Sequence, residues 1–435
     1  MAKNQEKTLR VGLAGLGTVG AGTFKILQAN ADLITRRTGV RIVVTAVNAR
    51  NKGKDRGIDL SSVEWVDNPI DLASHPDVDV VVEAMGGEND PALSLVKTAL
   101  QNGKSVVTAN KALLAHHGVD LSRLSEKHNA PLMFEAAVAG GIPIIKMIRE
   151  GLAANNISGL YGIMNGTCNY ILTTMERTGE SFSDVLEEAQ KLGYAEADPT
   201  LDVGGGDSGH KLVLLGALAF GCQPDYQNLS VEGIDRLSAE DILIAGEFGS
   251  RIKLIGQTVK LEDGRILQMV SPCLVPRTSP LAHVDGVLNG ILSQGDFVGL
   301  SFVEGRGAGE GPTASAIVSD LMDLANGVNG PVFGIPADQL QSSPSASRDD
   351  WTGEFYMRLV VQDRPGVIAE IAPILRDHQI SIESLIQRGR SADQPVTIVI
   401  ITHQTTGKNI RLACQEIADL PSVLDDPLTL PILKI

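Results

Sequence analysis

The chain has 435 residues, with 37 Lys and Arg against 52 Asp and Glu, giving a formal net charge of −15 at pH 7. That length predicts about three domains. So acidic a chain lacks the clustered cations that neutralise nucleic-acid phosphates or grip an anionic membrane, and both partner classes are set aside. Hydrophobic residues at 43% exclude a disordered chain, and aromatics at only 4% leave Val, Ile, Leu and Ala to build the core. Cys168, Cys222, Cys273 and Cys414 form no C-x-x-C pair, so neither a zinc knot nor a disulfide framework is indicated. Reduced thiols in a cytoplasmic protein are the simplest reading. The start, Met1–Lys7, is too polar for a signal peptide. The longest apolar stretch, Leu212–Cys222, falls well short of the roughly 20 residues of a membrane span.

Arg10–Ala14 reads as a short strand ending in Gly15-Leu16-Gly17-Thr18-Val19-Gly20, with a helix-like run over Ala21–Leu33. Val40–Val47, Asp79–Val82 and Ser105–Thr108 read as further strands, and Pro91–Gln101 as a helix. Unbroken apolar strands spaced by helices predict an α/β domain, a Rossmann-type parallel sheet over residues 1–140. Helical runs at Phe182–Leu192 and Gly209–Phe220, then short strand-like runs across Arg265–Val303, predict an α+β domain over 141–304. Asp320–Asn326 is expected as a helix in a segment, about 305–340, that returns to complete the first domain. Ser, Pro and charge over 341–353 suggest a linker. Beyond it come strand Phe355–Val361, helix Val367–His378, strands Ile380–Gln387 and Val396–Thr402, helix Asn409–Leu420 and strand Leu428–Leu433. That βαββαβ order over 354–435 is ferredoxin-like.

Gly15, Gly17 and Gly20 form G-x-G-x-x-G between a strand and a helix, the pattern that seats a dinucleotide pyrophosphate on a helix N-terminus. The second strand ends in Asn48-Ala49-Arg50 with no carboxylate to repel a ribose 2′-phosphate, so NADP is expected, with NAD as a second possibility; a merely solvated basic loop is the bland alternative. Lys111 follows a strand's C-terminal end, where ligands of such sheets bind. Asp207 and Lys211 lie four apart and share a helix face at the edge of an apolar run. Burial or a second cation would lower a lysine's pKa and Asp207 would raise it, so an ion pair and an acid–base lysine both stay open. Glu196 and Asp198 occupy a turn-rich loop, either solvated or placed to bind an ammonium. Cys168 reads as an inert thiol, with a nucleophile as the alternative. His116 and His117 show no metal spacing.

Several ordered segments together resemble the homoserine dehydrogenase family: Gly15–Gly20, Thr108–Lys111, Phe134–Pro143, Asn165–Leu172, Lys191–Lys211, and Gly307–Gly309 with Pro312–Ala314. The resemblance implies reversible hydride transfer between NAD(P)H and L-aspartate 4-semialdehyde, giving L-homoserine for threonine, methionine and isoleucine biosynthesis. By position, Lys211 looks like the proton donor, Asp207 and Glu196 like substrate binders, and Lys111 like a cofactor-contacting, catalytic lysine. Gly15, Gly17, Thr18, Val19, Gly20, Arg50, Gly193 and Gly309 look like cofactor contacts. The family also implies a monovalent cation, sodium, on Glu135 and the carbonyls of Val138, Gly140 and Ile142. The C-terminal unit resembles an ACT domain, which implies regulation by threonine, and the family implies a homodimer or homotetramer. Two other classes stay open: an aspartate-semialdehyde dehydrogenase-like enzyme acting through Cys168, and a non-enzymatic NADPH and amino-acid sensor.

Overall fold

The computed structural model describes residues 7–388 and 395–435. Of the polar start, residues 1–6 lie outside them. Strands β1 (Lys7–Ala14), β2 (Val40–Asn48), β3 (Glu64–Trp65), β4 (Val80–Glu83), β5 (Ser105–Thr108) and β6 (Leu132–Met133) form one sheet in the order β3-β2-β1-β4-β5-β6. Every neighbouring pair is parallel. Val80, Val81, Val82, Val106 and Val107 are fully buried, as unbroken β-branched runs must be when helices cover both faces. The strand order reverses between β1 and β4, and the crevice at that switch point is where such sheets bind ligands.

The helical run expected over Ala21–Leu33 is two helices, Thr18–Ala29 and Ala31–Thr38. The first starts earlier because the glycine motif is itself its opening turn. The second ends at Gly39, whose φ of 69° makes a left-handed cap. The returning helix spans Glu310–Ala325, so it starts ten residues, about three turns, before the Asp320 expected from the sequence. Gly311 and Pro312 hide its start in the sequence, yet Pro is well tolerated in a first turn. Its Ile317, Val318 and Leu321 share a core with Val11, Leu13, Val80 and Val82 of the sheet.

Compactness divides the chain into two interleaved units. One takes residues up to 160 with 210–227 and 293–343; the other takes 161–209, 228–292 and 344–435. In the second, Ser250–Lys260 and Ile266–Pro276 form a long antiparallel ribbon. Ile266–Pro276 also pairs in parallel with Ser230–Val231 and Ser345–Ala346. The expected linker is therefore structured: besides Ser345–Ala346, it holds a 3-10 turn at Arg348–Asp350 and a strand, Thr352–Gly353, paired with Thr405–Thr406. Two-residue strands carry no periodicity to read; Ala346 is held by packing on Leu267 and Met269.

The C-terminal strands are Phe355–Gln362, Ile382–Arg388, Pro395–Thr402 and Leu428–Pro431. Ile382–Arg388 and Leu428–Pro431 are the edges, and Pro395–Thr402 and Phe355–Gln362 the centre. All three pairings are antiparallel. Alternate residues Phe355, Met357, Leu359 and Val361 pack on Ile371 and Leu375 of helix Val367–Asp377 and on Ile410 and Ile417 of helix Gly407–Ala418. This is the βαββαβ unit expected from the sequence.

Candidate functional site

The three motif glycines do three different jobs. Gly15 has φ +96°, and a Cβ there would meet the Ala84 carbonyl at 2.5 Å. A Cβ on Gly20 would lie 1.9 Å from the Gly15 carbonyl oxygen, so only glycine lets the helix start press on the turn. At Gly17 nothing lies within 4 Å of the Cβ position. Gly17 is also the N-cap of helix Thr18–Ala29 and supplies no side-chain cap. The first-turn N–H groups of Thr18 and Val19 thus meet the positive end of the helix dipole, a ready anion site.

Gly15 and Gly17 line a cleft of about 690 Å³ that runs to Arg50, Trp65, Met85 and Gly86. An open turn, a helix N-terminus and a long cleft fit a dinucleotide. Arg50 is exposed and lines it, together with Lys52 and Lys54. Asn48, at the end of β2, is buried and donates its amide to the carbonyls of Val66 and Asp67. Arg56 was missed by sequence reasoning. Its guanidinium donates to the carbonyls of Leu16, Asn51 and Lys54, strapping the basic loop to the glycine turn. Lys52 and Arg56 both sit within 6 Å of the Trp65 ring. The only sequence signal was a tryptophan shortly after a basic run.

At the C-terminal ends of β4 and β5, the fully buried Glu83 accepts N–H groups from Met85 and Gly86 and the Thr108 hydroxyl. Asn110 caps helix Lys111–His128 by accepting from Leu113 N–H, and it donates to the Gly87 carbonyl at 2.6 Å. Lys111, half-buried, is the first residue of that helix. Glu83 and Asn110 were also missed, because a carboxylate ending an apolar strand has no signature of its own.

Helix Gly206–Phe220 carries Asp207 at 8% exposed and Lys211 at 9%. Both are buried, on a helix whose first turns also carry Ser208 and His210 and whose remainder from Leu212 is apolar. Asn165 Nδ2 donates to Asp207 Oδ2 at 3.0 Å. Glu196 is exposed in the loop after helix Phe182–Lys191, and Gly193, φ +77°, makes the turn into that loop. Asp198 accepts the N–H and the hydroxyl of Thr200, and these hydrogen bonds hold its carboxyl below the usual range. Cys168 is fully buried with its thiol on the Asp202 carbonyl, which suits the inert reading. His116 pairs with Glu88 at 3.2 Å and packs edge-on against His210 and Tyr226, which stack on each other.

Glu135 is buried, and its two carboxylate oxygens accept the N–H groups of Ile145 and Lys146. Burial pushes its carboxyl up. Asp320, which accepts the Glu135 N–H, is pushed up by burial to about 7. Ala139 and Gly140 are consecutive residues with positive φ, and the Ile142 carbonyl accepts Ile144 N–H. Among the described residues no group of three or more His, Cys, Asp or Glu is placed to hold a metal ion. Any cation here would depend on backbone carbonyls beside Glu135. Gly309, φ +116°, is the N-cap of helix Glu310–Ala325. Among the described residues no helix is long and apolar enough to cross a membrane.

Residues 143–322 match the family model described as homoserine dehydrogenase, residues 15–135 its NAD binding domain, and residues 355–422 the ACT domain. A homoserine dehydrogenase of Neisseria gonorrhoeae is 44% identical, with 98% of each chain covered. The crystal structure of a homoserine dehydrogenase from Thiobacillus denitrificans superposes with a TM-score of 0.92 at 43% identity, covering 98% of both chains. A hyperthermophilic archaeal homoserine dehydrogenase in complex with NADPH covers 74% of this chain and 99% of its own, at 27% identity and a TM-score of 0.63. With the glycine turn, the cleft and the C-terminal ferredoxin-like unit all in place, the chain belongs to the homoserine dehydrogenase family of NAD(P)-dependent oxidoreductases.

Proposed function

We propose that this chain interconverts L-aspartate 4-semialdehyde and L-homoserine with NADP, NAD serving as an alternative, in the branch of biosynthesis that leads to threonine, methionine and isoleucine. The observation that carries the reading is Lys211: a lysine only 9% exposed, four positions after a carboxylate 8% exposed, at the head of the helix's apolar run from Leu212. The nicotinamide, when bound, supplies or takes the hydride. Gly15, Gly17, Thr18, Val19 and Gly20 take the pyrophosphate, and Arg50 takes the 2′-phosphate; Lys111, Gly193 and Gly309 complete the cofactor contacts. Asp207 and Glu196 bind the amino-acid end of the substrate, Glu196 through its place in an exposed loop. Lys211 gives its proton to the substrate oxygen as negative charge develops there, with Lys111 as a second catalytic cation.

Glu135 and the carbonyls of Val138, Gly140 and Ile142 would offer a cation only hard oxygens, which suits a monovalent cation, sodium by preference. It would brace the turn that follows Glu135. The C-terminal unit takes threonine as its effector, and the chain works as a homodimer or homotetramer in the cytoplasm. Threonine titration and light scattering on the full chain test these two points. Lys211→Ala tests the chemistry: kcat falls roughly 10²–10⁴-fold with NADP binding unchanged. Near-normal turnover would exclude Lys211 as the acid.

A further inference from the structure

One amide joins three elements. Asn165 is the N-cap of helix Gly166–Thr178, and its Oδ1 accepts Cys168 N–H at 2.8 Å. Its Nδ2 donates to Asp202 Oδ1 at 2.7 Å, on helix Thr200–Val203, and to Asp207 Oδ2 at 3.0 Å, at the start of helix Gly206–Phe220. The side chain is 5% exposed, and all of its hydrogen-bonding groups are used. One turn on, Asn169 donates to the carbonyls of Val284 and Leu288 and accepts from the buried Lys253 ammonium. Gly166 presses so closely on residue 287 that a Cβ would lie 2.9 Å from its carbonyl oxygen.

A capping residue needs only an acceptor. Serine, threonine or aspartate would serve the helix equally well. What asparagine adds is a pair of N–H donors, one for each of two neighbouring carboxylates. It adds them without charge. An Arg or Lys at this point would also orient the carboxylates, but it would cancel the negative potential that attracts an ammonium.

We propose that Asn165 is a positioning residue for substrate recognition: its neutral amide fixes the plane of the Asp207 carboxylate against Asp202 while leaving their charge to select an amino-acid substrate. The inference rests on the reading of Asp207 as a substrate ligand. It extends the recognition machinery to a residue that touches Asp207.

The test uses the full chain with Asn165→Ser and Asn165→Asp. Both variants keep an oxygen for Cys168 N–H, so the helix still starts; neither supplies the two donors. In both, KM for homoserine rises at least about tenfold, while KM for NADP stays within about twofold. Asn165→Asp adds a third carboxylate to the pair, so one of the three takes up a proton more readily, and a protonated carboxyl donates. Its kcat/KM for homoserine therefore rises relative to that of Asn165→Ser as the pH is lowered. Wild-type homoserine KM in both variants would mean that the amide merely caps the helix, and would overturn the inference. Asp207→Asn, run in parallel, separates the two levels. A raised KM there beside normal Asn165 variants refutes the role of Asn165 alone. An unchanged KM in Asp207→Asn refutes the reading beneath it.

Discussion

Replacing Gly17 and Gly20 by alanine, one at a time, separates anion binding from folding at the same turn. Gly17 has φ −76° and ψ −161°, which alanine adopts freely, and its Cβ position is open for 4 Å. The fold loses only the difference between Gly and Ala at an N-cap, about 1 kcal/mol. In a chain of this size that lowers Tm by no more than about 2 °C. The new methyl group projects where a pyrophosphate would meet the first-turn N–H groups. Loss of one charge-assisted hydrogen bond there is worth about 1.5–3 kcal/mol, or roughly 10–100-fold in NADP affinity. Gly20→Ala is a different perturbation. Its Cβ would sit 1.9 Å from the Gly15 carbonyl oxygen, so backbone must retreat by more than 1 Å. Such strain belongs at the upper end of the roughly 1–3 kcal/mol of overpacked sites, and Tm and NADP affinity fall together. Thermal unfolding and NADPH fluorescence titration read both quantities. Wild-type NADP affinity in a stable Gly17→Ala protein would refute the placement of the phosphates on this turn.

Arg50→Ala raises KM for NADP about tenfold and leaves KM for NAD unchanged, as expected for one cation on the 2′-phosphate; an unchanged NADP value places that phosphate elsewhere. Burial, with the Arg251 charge adding to it, pushes the Lys253 ammonium down to about 8, against the usual value near 10.5. Between those values the unfolded chain binds more protons, so this group makes stability rise with pH there, by at most about 1.4 kcal/mol per pH unit. Lys253→Met removes that rise, and identical pH profiles of unfolding for wild type and variant would contradict it. Arg358 pairs with the fully buried Asp241, which Tyr356 also contacts. Arg358→Met leaves that carboxylate without its cation and costs about 3 kcal/mol, visible as a lower denaturation midpoint; an unchanged midpoint would show the pair to be dispensable.

Much of this was legible because it is local. Gly15, Gly17 and Gly20 sit in one short run between a strand and a helix, and Asp207 and Lys211 are one helical turn apart. The C-terminal unit was readable from alternating strands around Val367–Asp377 and Gly407–Ala418. What the sequence concealed depends on distant backbone. The strand Ser345–Ala346 exists only because Ile266 and Leu267 pair with it, and nothing in its own composition announces it. Helix Glu310–Ala325 begins among glycines and a proline that read as loop. Arg56 acts through carbonyls, one of them 40 residues away, and Asn165 through carboxylates 37 and 42 residues away. Single polar side chains that bridge elements have no period, so composition and spacing pass over them.

Hydride transfer itself can be observed by incubating the full chain with NADP and L-homoserine deuterated at the hydroxymethyl carbon, then weighing the reduced cofactor by mass spectrometry. Appearance of mono-deuterated NADPH, strongly suppressed in Lys211→Ala, is the predicted result. Cofactor that binds but gains no deuterium from homoserine would contradict the dehydrogenase chemistry assigned to this site.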